Sequence, residues 1–224
     1  GVQTCALPIY YDAIVRWHET RNGITDLTKR EIGYENGLLG GVVSAMKVLL
    51  PDGGPVLLHS PTYIGFTHVL NDNHYEIVHS PLKKDAEGIW RMDLADMEEK
   101  IKSRGIRTAI FCSPHNPTGR VWTREELEAA AALFEKYQIT VISDEIWSDL
   151  TLFGNQHIPF ASVSAFAHEN TIDPKPDPPN LELILTSPPF MLSNILFSPI
   201  PLSSFHPNLP HTVKLHPNLN GLPL

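Results

Sequence analysis

Between residues 10 and 172, short apolar runs bounded by turn residues alternate with longer segments of helical period. The apolar runs at 55–59, 75–78, 107–112 and 139–143 read as strands. Residues 10–20 read as an amphipathic helix with Ile14 and Trp17 on one face, ended by Asn22-Gly23. A glycine turn within 33–50 precedes another helix-forming run, and 81–90 reads as a loop. Asp93 is placed to cap a helix that runs to Arg104 and stops at Gly105. Thr123 and Glu126 form the Thr-x-x-Glu signature of a capping box, opening an alanine- and leucine-rich helix to Tyr137. Strand, helix and strand in this order make βαβ units. The fold class is therefore α/β, a mostly parallel sheet covered by helices on both faces.

The stretch 106–150 carries the chemistry. The strand at 107–112 stops at Ser113-Pro114, and two X-Pro bonds stiffen the loop His115-Asn116-Pro117-Thr118-Gly119. Asn116 and Asp144 each fall at the carboxyl end of a strand, where the ligand crevice of an open parallel sheet forms. A carboxylate there can hold a ring nitrogen protonated while an amide donates to a ring oxygen, so a planar heteroaromatic ligand suits the pair. Taken alone, each residue also reads as an ordinary turn residue or strand end. Gly37, Gly40 and Gly41 precede a helix, where open amides and the helix dipole attract phosphate. The chain has no G-x-G-x-x-G after a strand and no Walker lysine, so a nucleotide-binding domain is disfavoured. Tyr63 follows the strand at 55–59 and could stack on a flat ring or simply pack the strand–helix corner.

Composition narrows the classes. A formal net charge of −8 and the lack of a Lys/Arg block argue against nucleic acid and anionic membranes as partners. Two cysteines, Cys5 and Cys112, make no disulfide framework and point to a reducing, cytoplasmic setting. No window has the roughly 20 apolar residues of a membrane span. His68, His74 and His79 fit no zinc spacing and read as surface positions, so no metal is assigned.

The text SPHNPTGRVWTREEL followed by VISDEIWSDL resembles the fold-type I pyridoxal-phosphate (PLP) enzymes. Within them it is most similar to the cystathionine β-lyase and cysteine-S-conjugate β-lyase branch of the class I/II aminotransferases. The resemblance covers about residues 10–172. It implies a three-layer large domain, here incomplete, with PLP as cofactor, an amino-acid substrate and a homodimeric assembly. It implies that Gly41, Val42 and Val43 meet the cofactor phosphate, Tyr63 stacks on its ring, and Asn116 and Asp144 hold its edge. Trp147 and Ser148 would line the substrate pocket. The reaction implied is β-elimination giving pyruvate, ammonia and a thiol. An aminotransferase of the same fold and a non-catalytic copy acting in dimerisation are the alternatives.

The ends of the chain depart from the pattern. Residues 1–9 are read as unassigned, foreign or the start of a fragment, and 10–172 as a partial cofactor-binding domain. Residues 173–224 hold twelve of the 20 prolines and match no known domain, as a frame change, an unspliced intron or a gene-model error would produce. The resemblance calls for a Schiff-base lysine beyond residue 172. Lys175, flanked by Pro174 and Pro176 with no preceding serine, is a poor candidate. No catalytic residue is therefore assigned, no substrate-binding arginine is matched, and this chain is expected to have little or no lyase activity.

Overall fold

The computed structural model describes residues 3–33 and 37–172. Four parallel strands form the central sheet: β1 (Pro55–Ser60), β2 (Glu76–Pro81), β5 (Thr108–Cys112) and β6 (Thr140–Asp144). Two short strands, β3 (Lys83–Lys84) and β4 (Trp90–Arg91), pair antiparallel inside the segment expected to be plain loop. Their link is anchored by Asp85, which accepts from the amides of Glu87 and Ile89 and from Arg91.

The sheet order is β2-β1-β5-β6, with Val56 opposite Thr108 and Cys112 opposite Asp144. The chain steps one way from β1 to β2, then back past β1 to β5 and on to β6. Right-handed crossovers therefore send helices to opposite faces. Helix α3 (Ile64–Asp72) packs on one face together with α2 (Leu38–Leu49), burying Val42, Met46, Phe66 and Leu70 against Val56, Leu58, Ile110 and Ile142. Helices α4 (Leu94–Arg104) and α5 (Arg124–Tyr137) cover the other face, where Met97, Ile101, Leu127 and Phe134 meet Leu57, Ala109, Phe111 and Val141. Alternation along each strand supplies both cores, each buried Phe or Leu contributing about 1.5–3 kcal/mol. The order in which strands are added reverses between β1 and β5, so the switch point lies at their carboxyl ends.

The local signals explain the boundaries. Asp93 caps α4 by accepting from the Asp96 amide at 3.3 Å, and Gly105 (φ 62°) ends it. The capping box of α5 is complete: the Glu126 amide donates to Thr123 at 3.3 Å, and the Thr123 amide to Glu126 at 2.9 Å. Helix α1 starts at Gln3, not at residue 10, and runs to Trp17 through Pro8, at the loss of one backbone bond. A π-helical turn, His18–Asn22, continues it to Gly23 (φ 68°). Helix α6 (Ala165–Asn170) brings the chain back along β6, where Thr171 bridges Val141 in parallel. His68, His74 and His79 are exposed. Among the described residues, no helix is long and apolar enough to cross a membrane.

Candidate active site

The loop after β5 is a closed hairpin. The His115 amide donates to the Arg120 carbonyl at 2.7 Å, and the Gly119 amide to the His115 carbonyl at 2.7 Å. The His115 ring is 2.8 Å from the Thr118 hydroxyl and meets Trp122 edge-on, with centroids 5.7 Å apart. Trp122, fully buried, donates from its indole to the Cys112 carbonyl at 3.0 Å. Arg120 lies over the Trp122 ring and pairs with Glu126, which also takes Arg91 at 2.8 Å. The loop is thus riveted to the start of α5. What it presents is Asn116, half-buried, its side-chain amide without a hydrogen-bond partner among the described residues.

Cys112 joins that loop to Asp144. Its sulfur accepts from the Asn116 amide at 3.4 Å and lies 3.7 Å from Asp144 Oδ2, while its thiol also reaches the Pro114 carbonyl at 3.2 Å. The structure therefore brings together the two residues that sequence placed at one rim. Asp144 is 2 % exposed, and the Ile146 amide donates to its Oδ1 at 3.2 Å. One amide and one thiol are few partners for a buried carboxylate. Burial accordingly raises its pKa to about 6, and the neighbouring Glu145 adds to the rise against the Ile146 and Cys112 hydrogen bonds. Burial, with Asp144 beside it, pushes the Cys112 thiol well above its usual range.

Tyr63 stands at the start of α3, three residues past the end of β1, on the strand adjacent to β5. Its ring meets Phe66 edge-on at 5.6 Å and passes over Gly65, where a Cβ would come within 2.8 Å of Tyr63 Cζ and 3.0 Å of Leu39 Cδ1. Glycine at 65 thus lets Tyr63 and the first turn of α2 meet. That turn sits one step earlier than expected. Gly37 (φ 100°) precedes it, and the Gly41 amide already donates to the Gly37 carbonyl at 3.3 Å. Gly41, Val42 and Val43 are inside the helical ladder. The amides that helix geometry leaves open belong to Leu38, Leu39 and Gly40. The reason is local: an αL-tolerant glycine at 37 lets the helix begin before the Gly40-Gly41 pair. Trp147 and Ser148, both half-buried, form the turn directly after Asp144, with the Ser148 amide on the Glu145 carbonyl at 2.9 Å. Lys175 lies outside the described residues.

Two further groups line the opposite face of this rim. His59 and His115 are buried with rings 6.1 Å apart, and burial lowers their pKa values to about 3 and about 4, the two rings also repelling each other's charge at His59. Glu145 and His157 form a buried pair at 2.6 Å that sequence reading did not assign. The available signal was the acidic doublet at a strand end, because alternation sends its two carboxylates to opposite faces.

Comparison with known proteins agrees with this geometry. The model of the family "Aminotransferase class I and II" matches residues 3–173. Cystathionine beta-lyase PatB of Bacillus subtilis is 35% identical over 68% of this chain and 39% of its own length. Protein MalY of Escherichia coli is 32% identical over 68% of this chain and 38% of its own length. The PLP-bound C-S lyase from Staphylococcus hominis superposes with a TM-score of 0.66 at 30% identity, over 79% of this chain and 42% of that one. The chain thus spans less than half the length of these relatives. A family model matched over residues 3–173, together with the fold shared with a PLP-bound relative, makes this chain a member of the class I and II aminotransferase family.

Proposed function

We propose that this chain is part of a PLP-dependent carbon–sulfur β-lyase acting on cystathionine or related cysteine S-conjugates, residues 10–172 being a portion of its cofactor-binding domain. The observation that carries the reading is the buried Asp144, with few hydrogen-bond partners among the described residues, joined through Cys112 to the Asn116 loop at the switch point of the sheet. A carboxylate with a pKa raised by burial gains most from a neighbouring cation, which is what a protonated ring nitrogen provides. Asp144 would hold that proton, Asn116 would donate to the ring oxygen, and Tyr63 would cover one ring face. The open first-turn amides of α2 would meet the phosphate. Trp147 and Ser148 would exclude water on the substrate side.

When bound, the cofactor supplies an electron sink for a carbanion at the substrate Cα. Departure of a thiolate from Cβ would then lead to pyruvate and ammonia. The name of the relative PatB supports the lyase branch, and the family's own description keeps transamination as the second reading. A cytoplasmic homodimer completes the proposal, consistent with the reduced, buried Cys112.

The test is a PLP titration followed by ultraviolet–visible absorbance and tryptophan quenching, with pyruvate release from cystathionine assayed in parallel. Saturable binding, abolished by Asp144→Ala, with pyruvate at background is the expected result. Binding that ignores Asp144→Ala refutes the site. Clear turnover with borohydride-trapped cofactor on Lys175 refutes the inactivity. A 2-oxo-acid acceptor that turns over when cystathionine does not would select the aminotransferase.

A further inference from the structure

Strand β6 ends at Asp144, and Asp144 and the following Glu145 leave the sheet on opposite faces. Asp144 faces α2 and α3, whereas Glu145 folds back under the other face. Glu145 Oε1 accepts from the Ser143 hydroxyl at 2.8 Å and from the Phe160 amide at 2.9 Å, and its Oε2 is 2.6 Å from His157 Nε2. The Glu145 and His157 side chains are 9 % and 5 % exposed. Phe160, at the end of this connection, is locked into the core 4.8 Å from the Phe111 ring. A single carboxylate thereby joins the strand end, the returning loop and the core.

The segment strung between these anchors has little else to hold it. Its other hydrogen bonds among the described residues are local: Ser148 amide to Glu145 carbonyl and Leu150 amide to Trp147 carbonyl, both at 2.9 Å, and the Asn155 backbone and side-chain amides to the Leu152 carbonyl at 3.1 and 2.7 Å. Leu150, Leu152 and Phe153 point to solvent. Trp147 and Ser148 sit in this segment, directly after Glu145.

We propose that Glu145 and His157 are positioning residues that fix the Trp147–Ser148 turn, and so shape the substrate side of the pocket. This rests on the reading above that Trp147 and Ser148 line that pocket. Hydrogen bonds to a charged, buried acceptor are the strong kind, and a saturated carboxylate has one geometry. Cutting the His157 link frees the returning strand of the loop while leaving the core bonds of Ser143 and Phe160 intact.

The test uses the whole chain labelled with 5-fluorotryptophan, whose four tryptophans give four fluorine resonances, Trp147 being assigned by Trp147→Phe. In His157→Phe, the Trp147 resonance is expected to move more than half of the way to its urea-unfolded position, with Trp17, Trp90 and Trp122 unmoved. In His157→Gln, whose amide can still donate to Glu145, it is expected to return to the wild-type position. An unmoved Trp147 resonance in His157→Phe, or failure of His157→Gln to restore it, overturns the proposal. Should Trp122 collapse too, His157→Ala is the milder probe: it leaves Glu145 bonded to Ser143 and Phe160 and must still shift Trp147 alone. PLP titration of the wild type separates the two ideas. A wild type that binds no PLP sinks the pocket reading, yet the fluorine result still decides whether Glu145 and His157 position the turn.

Discussion

Asp144 and Glu145 are neighbours in sequence, both buried, and opposite in circumstance. Glu145 is saturated by a hydroxyl, a backbone amide and an imidazole. Asp144 has one amide at 3.2 Å and a thiol at 3.7 Å. The Glu145 carboxylate has both oxygens bonded, whereas Asp144 has fewer partners among the described residues. A functional group at this rim is recognised by the partner it lacks, and a structural one by the partners it has. The same contrast separates His115, whose loop is closed by backbone and Thr118, from Asn116, whose side chain has no hydrogen-bond partner among the described residues.

The contrast predicts opposite outcomes for the two carboxylates. Glu145→Leu strips partners from Ser143, His157 and Phe160 in a buried site, and should destabilise the chain by about 3–5 kcal/mol in urea unfolding. A loss below about 1 kcal/mol would mean the saturated network is ornamental. Asp144→Asn should do the reverse in the cofactor-free chain. With a folded pKa near 6 against an unfolded value near 4, Asp144 keeps a proton that the unfolded chain has released between those values. Its contribution therefore falls as pH rises through that window and stays low above it. The variant should gain about 1–3 kcal/mol at pH 7 and nothing at pH 4, while PLP affinity drops by at least about tenfold. Equal stability at both pH values would remove the idea of an unsatisfied carboxylate.

The two histidines shift the other way. With pKa values held at about 3 and about 4, they stay neutral while an unfolded chain would take up protons below about 6.5. Stability from this source is present above that pH and is lost as pH falls. Measured in the Asp144→Asn background to remove the opposing effect of that carboxyl, His59→Leu should relieve about 2 kcal/mol of the acid loss at pH 5. An unchanged acid limb would contradict it. The smallest effect belongs to a place that neither carboxylate touches: Thr123→Ala should cost about 1 kcal/mol through the α5 cap and leave PLP binding unaltered.

The four sheet strands and the caps of α4 and α5 were legible because each rests on a local pattern: apolar runs between turns, Asp93, and the Thr123–Glu126 box. The meeting of Asn116 and Asp144 at one rim was legible because strand ends of a parallel sheet converge. The start of α1 was hidden by Pro8, which breaks the period without breaking the helix. The Gly41–Val43 amides were placed one turn late, because a glycine cluster does not say which glycine precedes the first helical residue. Strands β3 and β4 are too short for alternation to register. The Glu145–His157 pair needs a loop to fold back on its own origin, which no periodicity records. The tertiary return made the contact, and the only sequence trace was the doublet at the end of β6.

The most direct test is the titration of the Asp144 side-chain carboxyl by carbon-13 NMR, with and without PLP. The account predicts a midpoint near 6 in the free chain and a fall below about 4 with PLP bound, as the ring cation replaces the missing partner. A free carboxyl that already titrates in the ordinary range and does not respond to PLP would contradict it.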